Sequence, residues 1–272
     1  MTSFEDKFRG KIDAYQYDKM PSDSQVNDFF EKFDGQPESK SGIPFYWKLA
    51  ASVILVLGSF WISWTIAQVE VSTGLAEVKE VSLPDQSVVT LNAESRLSYN
   101  RLSWMANRSL ELEGEAFFEV TKGERFEVIS LKGTTEVLGT SFNIYAREDA
   151  YEVKCYTGKV QVSLSESKHV LSPGDCVLAQ AGEVKTSSFD TLRQTWKQGE
   201  YHYDNAELAK VIKDLERTYG LKFETAVVDL GKKYTGYFPR DNQALSLKLV
   251  FEPFGYSYRI EDGVVFLSIK ID

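Results

Sequence analysis

The longest apolar stretch of the chain runs from Leu49 to Val69 and contains no charged residue. Lys48 precedes this stretch and Glu70 follows it. A helix rises about 1.5 Å per residue, so roughly twenty residues span about 30 Å, the thickness of a bilayer's hydrocarbon core. The pattern predicts one transmembrane helix within residues 45–69. Aromatic rings that prefer the headgroup zone lie toward its ends, at Tyr46, Trp47, Trp61 and Trp64.

Two other interpretations of this stretch are weaker. A cleaved signal sequence would be shorter, would lie near residue one and would end in a small-residue site, for which Thr65 and Ala67 are a poor match. A soluble core helix rarely runs about six turns without a charge on any face. Cations are frequent before the span and the first one after it is Lys79, so the positive-inside rule places the N-terminal segment in the cytoplasm.

Residues 1–44 contain two apolar stripes with helical spacing. Thr2 with Glu5, and Ser22 with Gln25, have the spacing of a capping box. Two helices of about ten residues bury too little area to be stable alone, so the stripes need another surface. Because these helices are acidic, we favour a cytoplasmic protein over anionic lipid, while a hairpin in which the helices cover each other stays open. The stripes are Phe4, Phe8, Ile12 and Tyr15, then Val26, Phe29, Phe30 and Phe33.

Short stretches of alternating apolar and polar residues follow the span, from Val71 to Lys185. Turn residues such as Pro84-Asp85, Gly114 and Pro173-Gly174 separate them. The pattern predicts an all-β domain over residues 70–190, built as a sandwich, a barrel or a solenoid. The clearest predicted strands are Ser87–Asn92, Ser109–Glu113, Ala116–Thr121, Ser141–Arg147 and Gly158–Leu164.

An internal repeat occupies residues 191–272. Tyr201–Glu224 and Tyr234–Ile260 each have the order strand, helix, strand, which predicts a duplicated βαβ motif with its helices on one sheet face. A final hairpin is expected at Asp262-Gly263, which suits the positive φ angles of a type I′ turn. The chain as a whole is therefore predicted to be mainly β with an α+β part. The predicted caps are Asp204-Asn205 and Asp241-Asn242, the helix stops are Gly220 and Gly255, and the apolar faces are Leu208, Val211, Ile212 and Leu215, then Leu245, Leu249 and Val250.

Composition and motifs argue against an enzyme. The net charge of -9 and 43% hydrophobic content exclude a basic nucleic-acid binder and a disordered chain. His169 and His202 are far apart and have no zinc-type spacing. Ser165 and Lys168 match the S-x-x-K pattern of serine acyl-enzymes, but in a polar loop rather than at a helix start. We expect no catalytic residue, metal or cofactor.

Two cysteines lie in the predicted β domain, at Cys155 and Cys176. In an oxidising compartment they would form a disulfide if their Cα atoms came within about 7 Å. Otherwise they would be two buried thiols. The sequence leaves both arrangements open.

A series of short motifs runs through the β domain in a fixed order. They are VSLPDQSVVTLN at Val81–Asn92, AESRLSY at Ala93–Tyr99, LEGEAFFEV at Leu112–Val120, VLGTSFN at Val137–Asn143, GKV at Gly158–Val160 and LSPGD at Leu171–Asp175. These motifs resemble those of FecR-type anti-sigma regulators, and their order and spacing make the resemblance specific. The C-terminal repeat, with YTGYF at Tyr234–Phe238, resembles the short N-terminal domain of secretins and TonB-dependent receptors.

The resemblance implies a relay across the bacterial inner membrane. In such systems an outer-membrane TonB-dependent transducer contacts the periplasmic part, and the cytoplasmic tail binds an extracytoplasmic-function sigma factor. In some members an intramembrane protease frees the tail. We expect the sigma factor on the two N-terminal stripes, although this segment is shorter than the usual helical anti-sigma domain.

The transducer's signalling domain is expected at Tyr234, Tyr237 and Phe238, although core packing would explain those aromatic residues equally well. Two rival functions remain open. One is a membrane-anchored periplasmic scaffold or secretion component that has no sigma partner. The other is a periplasmic carbohydrate-binding protein that uses exposed tyrosines.

Overall fold

A computed structural model describes residues 22–34, 45–165, 167–193 and 195–269, and of Phe33 and Asp34 only the backbone. The chain divides into two compact units between residues 57 and 58. Helix α1 spans Asp23–Asp34 in the first unit, and helix α2 spans Phe45–Ile66 and ends in the second. Within the described residues, α2 is the one helix that is long and apolar enough to cross a membrane, and none of its side chains is buried.

Helix α2 ends three residues before the predicted end of the span. Gln68 and Val69, which were predicted to lie in the membrane, instead begin strand β1. The alternation of polar and apolar residues from Gln68 onward explains this, because Val69 and Val71 pack against the β core while their neighbours face outward. Only Ala67 separates the apolar helix from the first strand.

Thirteen strands form one curled sheet over residues 68–188, here called the β region, and confirm the all-β prediction. Its pairings are antiparallel except for that of β5 with β6. The strands are β1 Gln68–Ser72, β2 Lys79–Ser82, β3 Val88–Leu91, β4 Arg96–Asn100, β5 Arg108–Glu119, β6 Phe126–Ser130, β7 Gly133–Val137, β8 Ser141–Ala146, β9 Ala150–Cys155, β10 Val160–Leu164, β11 Ser167–Leu171, β12 Asp175–Gln180 and β13 Glu183–Ser188.

The curled sheet folds over into two layers, and strand β5 belongs to both. Its first half pairs with β4 and β6, and its second half pairs with β3 and β8. The sequence predicted two strands separated by a turn at Gly114, but the structure has one strand that bends there. Gly114 has a φ of 101°, and an added Cβ would lie 2.5 Å from the Ser95 Oγ. Only glycine fits this bend without strain.

The two layers enclose the larger apolar core of the molecule. Trp104 is almost completely buried, and its ring meets those of Tyr99 and Phe126 at 5.1 and 5.8 Å. The rings of Phe118 and Phe142 stack at 4.8 Å between the layers. Edge-to-face and stacked pairs of this kind stabilise a core beyond the area that they bury.

Residues 195–269, here called the C-terminal region, contain two helices and two small sheets. Strand β14 pairs with β16 in one sheet, and β18 lies between β15 and β17 in the other. The order of elements is as predicted, but the two strands of each repeat lie in different sheets. The elements are β14 Glu200–Glu207, α3 Leu208–Tyr219, β15 Lys222–Glu224, β16 Lys233–Pro239, α4 Gln243–Phe251, β17 Tyr256–Glu261 and β18 Val264–Ile269, with 3-10 turns at Trp196–Gln198 and Glu252–Phe254.

The predicted cap of the first repeat is wrong and that of the second is right. Strand β14 continues through Asp204-Asn205 to Glu207, because a bulge with Asn205 at a φ of 51° keeps it paired with β16. Asn242 does cap α4 and accepts a hydrogen bond from the Leu245 N–H at 3.0 Å. The buried face of α3 includes all four predicted residues.

The apolar face of α4 is predicted only in part. Val250 is buried as predicted, but Leu249 is half-buried and Leu245 is 38% exposed, and Leu247 and Phe251 are buried instead. The final turn is confirmed, since Asp262 and Gly263 have φ angles of 48° and 78°.

Candidate functional site

Helix α1 carries the described part of the predicted sigma-binding stripes. Phe29 and Phe30 are 58% and 60% exposed, their rings meet edge to face at 5.9 Å, and Val26 is half-buried. The Ser22 N–H donates to Gln25 Oε1 at 3.2 Å, which is one of the two bonds of the predicted capping box. Two large apolar rings therefore lie at the surface of a capped helix. Phe4, Phe8, Ile12, Tyr15 and the side chain of Phe33 lie outside the described residues.

The end of α2 is closed by one hydrogen bond of its own and is fastened to the β region by two more. The Ala67 N–H donates to the Ser63 carbonyl at 3.1 Å, and the Ala67 carbonyl accepts from the Arg101 N–H at 2.9 Å. The Asn100 amide donates to the Trp64 carbonyl at 3.1 Å. The last carbonyls of a helix have no intrahelical donor, so Asn100 acts as a C-terminal cap supplied by β4.

The β region and the C-terminal region share a second apolar core. Side chains alternate along β5, so Phe118 lies in the first core while Phe117 faces the second. The Phe117 ring meets that of Tyr156 at 5.2 Å, and Trp196 and Tyr201 join them from the C-terminal side. The contact is therefore apolar at its centre, as stable interfaces are.

A buried polar network crosses this contact, formed by Asn92, Glu115, Asn143, Trp196 and Tyr201 and here called the Glu115 network. Glu115 accepts hydrogen bonds from the side-chain amides of Asn92 and Asn143 at 2.8 and 2.9 Å. The oxygens of the same amides accept from the Tyr201 hydroxyl and the Trp196 indole N–H, both at 3.0 Å. Burial, and after it the negative charge of Asp214, raises the pKa of Glu115.

The sequence reasoning missed this network. Asn92, Glu115 and Asn143 each lie in a different FecR-like motif and each stands next to apolar residues. Buried polar groups need partners, so three such residues were a signal that they meet. Their further partners, Trp196 and Tyr201, could not be inferred, because they come from the C-terminal region.

Ion pairs surround the network. Glu152 lies 2.7 Å from the Lys154 Nζ and 3.7 Å from the Nζ of Lys210 on α3. Arg217 on the same helix lies 3.2 Å from Glu94 in the β region. Burial alone would raise the pKa of Glu152, but the two ammonium groups outweigh it and lower the pKa to about 2.

A cleft of about 610 Å³ lies at this contact. Polar and aromatic side chains line it, and the ion pair between Glu152 and Lys154 lies in its wall. The lining includes Glu152, Lys154, Tyr156, Cys176, Tyr203 and Lys210. The cleft thus joins the β region to the C-terminal region through charged as well as apolar groups.

The three residues predicted to bind the transducer have different positions. Tyr234 and Phe238 are buried in the second core, and the Tyr234 hydroxyl donates to the Tyr237 carbonyl at 3.1 Å. Their side chains pack beneath strand β16, so a partner at the protein surface cannot contact them. Tyr237 is 42% exposed and stacks on the His202 ring at 5.6 Å.

The two cysteines do not form the disulfide that was considered, because both are free and buried. Cys176 pairs in register with Lys154, the neighbour of Cys155, so the two side chains point to opposite faces of the sheet. Cys155 lies in the first core and Cys176 lines the cleft. Burial raises the pKa of Cys155 to about 11 and that of Cys176 to about 12.

Within the described residues, no group of three or more His, Cys, Asp or Glu side chains could hold a metal ion. His169 hydrogen-bonds Ser167 at 3.0 Å, and His202 pairs with Glu200 at 2.8 Å. Ser165 and Lys168 belong to the hairpin that joins β10 and β11, not to a helix start.

The comparisons with known proteins agree with this architecture. A family model described as FecR protein matches residues 69–161. Two crystal structures of a candidate anti-sigma factor from Parabacteroides distasonis, at 1.65 and 2.50 Å resolution, superpose with a TM-score of 0.70 and 31% identity. In each case the match covers 75% of this chain and 100% of the solved chain. A search of curated proteins finds no match.

These matches point to a regulatory class of protein. The chain belongs to the FecR family, and its likeness to the candidate anti-sigma factor supports an anti-sigma role.

Proposed function

We propose that this protein is a single-pass inner-membrane anti-sigma factor. It passes a signal from an outer-membrane TonB-dependent transducer to an extracytoplasmic-function sigma factor. The FecR-family β region and the apolar helix α2 support this proposal, because a signalling protein of this kind must join two compartments. In this proposal, cleavage of α2 by an intramembrane protease releases the N-terminal segment.

The observation that carries the proposal is the join between α2 and β1. One residue, Ala67, links them, and hydrogen bonds from Asn100 and Arg101 hold the last helical turn against β4. A flexible linker would absorb a movement of the β region. Because no flexible linker separates α2 from β1, a movement of the β region is instead passed to the helix. A protein that relays a signal needs such a connection.

The orientation follows from the charges that flank α2. Lys32, Lys40 and Lys48 precede the apolar segment, and the first cation after it is Lys79. The N-terminal segment is therefore assigned to the cytoplasm and the β region to the periplasm. Protease added outside intact spheroplasts should digest the β region and spare an N-terminal tag. The opposite pattern would refute this orientation.

The proposed sigma contact on α1 is tested by charge substitution. Phe30→Asp places a carboxylate among the exposed rings, whereas Ser24→Asp adds the same charge on the opposite face of the helix. The full-length protein in detergent is incubated with each extracytoplasmic-function sigma factor of its host, and co-purification is measured. We expect binding that Phe30→Asp abolishes and Ser24→Asp preserves. Absence of any sigma binding to the unmodified protein would favour the scaffold alternative.

Because Tyr234 and Phe238 are buried, the proposed contact with the transducer is limited to the exposed side of β16. Tyr237 is the one residue of the predicted set that has a large exposed surface among the described residues. Tyr237→Asp should abolish binding of the transducer's signalling domain, whereas Ile260→Asp, at a residue of similar exposure on β17 of the other sheet, should not. Unchanged binding in Tyr237→Asp would remove this choice of surface.

A further inference from the structure

The loop between β4 and β5, residues 101–107, carries exposed apolar side chains next to the end of α2. Leu102 is 55% exposed and Met105 is 89% exposed. Between them Trp104 is 1% exposed and packs on Tyr99 and Phe126. The buried indole fixes the loop, so its two apolar side chains cannot turn inward.

Hydrogen bonds place this loop at the depth where α2 ends. The side-chain amide of Asn100 donates to the Trp64 carbonyl at 3.1 Å, and the side-chain oxygen Oδ1 of Asn100 accepts from the Leu102 N–H at 2.9 Å. The Arg101 N–H donates to the Ala67 carbonyl at 2.9 Å. At about 1.5 Å per residue, the 22 residues of α2 span about 33 Å, so its last turn lies where the hydrocarbon core gives way to headgroups.

The charge of the loop also suits a bilayer surface. Arg101 is the one charged residue of the loop, in a chain whose net charge is -9, whereas Arg108 belongs to β5 and pairs with the Asp85 carboxylate. Arg101 is exposed. Cations beside apolar side chains are typical of segments that lie in the lipid interface.

We propose that the β4–β5 loop is a membrane contact, which inserts Leu102 and Met105 into the headgroup zone of the bilayer that α2 crosses. The inference rests on the proposed membrane span of α2. It adds a second attachment beside the helix, which fixes the tilt of the β region on the membrane surface.

The test places an environment-sensitive fluorophore at single introduced cysteines in the full-length protein. Met105→Cys reports the loop, and Leu131→Cys is the matched control, because Leu131 is an apolar turn residue that is 93% exposed. Strand β6 begins beside Arg108 and runs five residues away from it, so Leu131 lies about 16 Å farther along the sheet. The native Cys155 and Cys176 are buried thiols and do not compete for the label.

Each labelled protein is reconstituted, at low protein density, in vesicles of phosphatidylethanolamine and phosphatidylglycerol. Some of the lipids carry a spin label, either near the headgroup or deep in the acyl chain. We expect the headgroup-level label to quench the Met105 probe about two-fold and to leave the Leu131 probe unchanged. Equal quenching of the two probes would overturn the proposal, as would a blue-shifted Met105 probe that lipid does not quench.

A third probe at Ile54→Cys, in the middle of α2, separates the two claims. If the deep label quenches Ile54 but the Met105 probe behaves like Leu131, the loop contact is wrong and the span stands. If no lipid label quenches Ile54, the span and the loop contact both fail.

Discussion

The ion pairs of Glu152 predict an acid-sensitive contact between the β region and the C-terminal region. Glu152→Gln removes a carboxylate that is held between Lys154 and Lys210, with N–O distances of 2.7 and 3.7 Å. Its pKa is about 2, against an ordinary value of 4.5. At about 1.4 kcal/mol per pH unit, this difference corresponds to about 3 kcal/mol of stabilisation at pH 7.

The direction in which stability changes with pH follows from the lowered pKa of Glu152. Because the folded state holds the proton less tightly than the unfolded state, the stabilisation is complete above the unfolded pKa of 4.5 and falls as the pH approaches 2. At about pH 3 roughly two fifths of it remains, so about 2 kcal/mol has been lost. The Gln variant has no carboxylate to titrate and lacks this contribution at either pH.

The assay is urea unfolding of the full-length protein in detergent micelles, followed by tryptophan fluorescence at pH 7 and at pH 3. The difference in unfolding free energy between wild type and Glu152→Gln should be about 2 kcal/mol smaller at the lower pH. Glu183→Gln is a control, because Glu183 pairs with Lys185 at 2.6 Å on the exposed strand β13. Its effect should be much smaller, since water screens an exposed pair.

Lys210→Met separates the two partners of Glu152, because Lys210 alone comes from the C-terminal region. Losing one of the two cations should raise the pKa of Glu152 and move the loss of stability to higher pH. A difference between wild type and Glu152→Gln that is the same at both pH values would refute the assigned ion pairs.

Three further outcomes are expected from the same structure. Gly114→Ala should destabilise the protein by about 3 kcal/mol in urea unfolding, because it adds a clash to a strained φ, whereas Gly182→Ala, with a positive φ but open space, should lose only about 1 kcal/mol. Tyr201→Phe should lose about 1 kcal/mol, the usual value of one buried hydrogen bond, and a loss near zero would contradict the Glu115 network. Cys155 and Cys176 should not react with a thiol reagent at pH 7 until the protein is unfolded, and a reductant should leave the melting temperature unchanged.

The sequence predicted the elements better than their connections. Alternation identified the strands and the helical spacing of apolar residues identified α3, since both patterns reflect which face is buried. The length of an uncharged apolar run identified α2. Gly114 shows the limit of this reasoning. A glycine between two alternating stretches suggests a turn, but here it is the bend of one long strand that serves both layers.

The candidate site was less accessible from sequence, because it depends on contacts between distant segments. Tyr234 and Phe238 look like recognition aromatics in a turn-flanked strand, yet they fill the second core. Glu207 ends β14 and precedes α3 where Asp204-Asn205 was expected to cap, because pairing with β16 outweighs the local capping preference. Such competition between local and tertiary interactions cannot be decided from spacing alone.

The path from the C-terminal region to helix α2 is short and consists of paired strands and hydrogen-bonded side chains. Trp196 and Tyr201 bind the amides that Glu115 holds, and Glu115 lies on β5. Strand β5 pairs with β4, and β4 supplies Asn100 to the last turn of α2. Packed interiors and hydrogen-bonded ladders resist gradual deformation, so a shift at one end is passed on or blocked rather than dissipated. A partner bound to the C-terminal region can therefore bias the helix only as far as it prefers one arrangement of these elements over another.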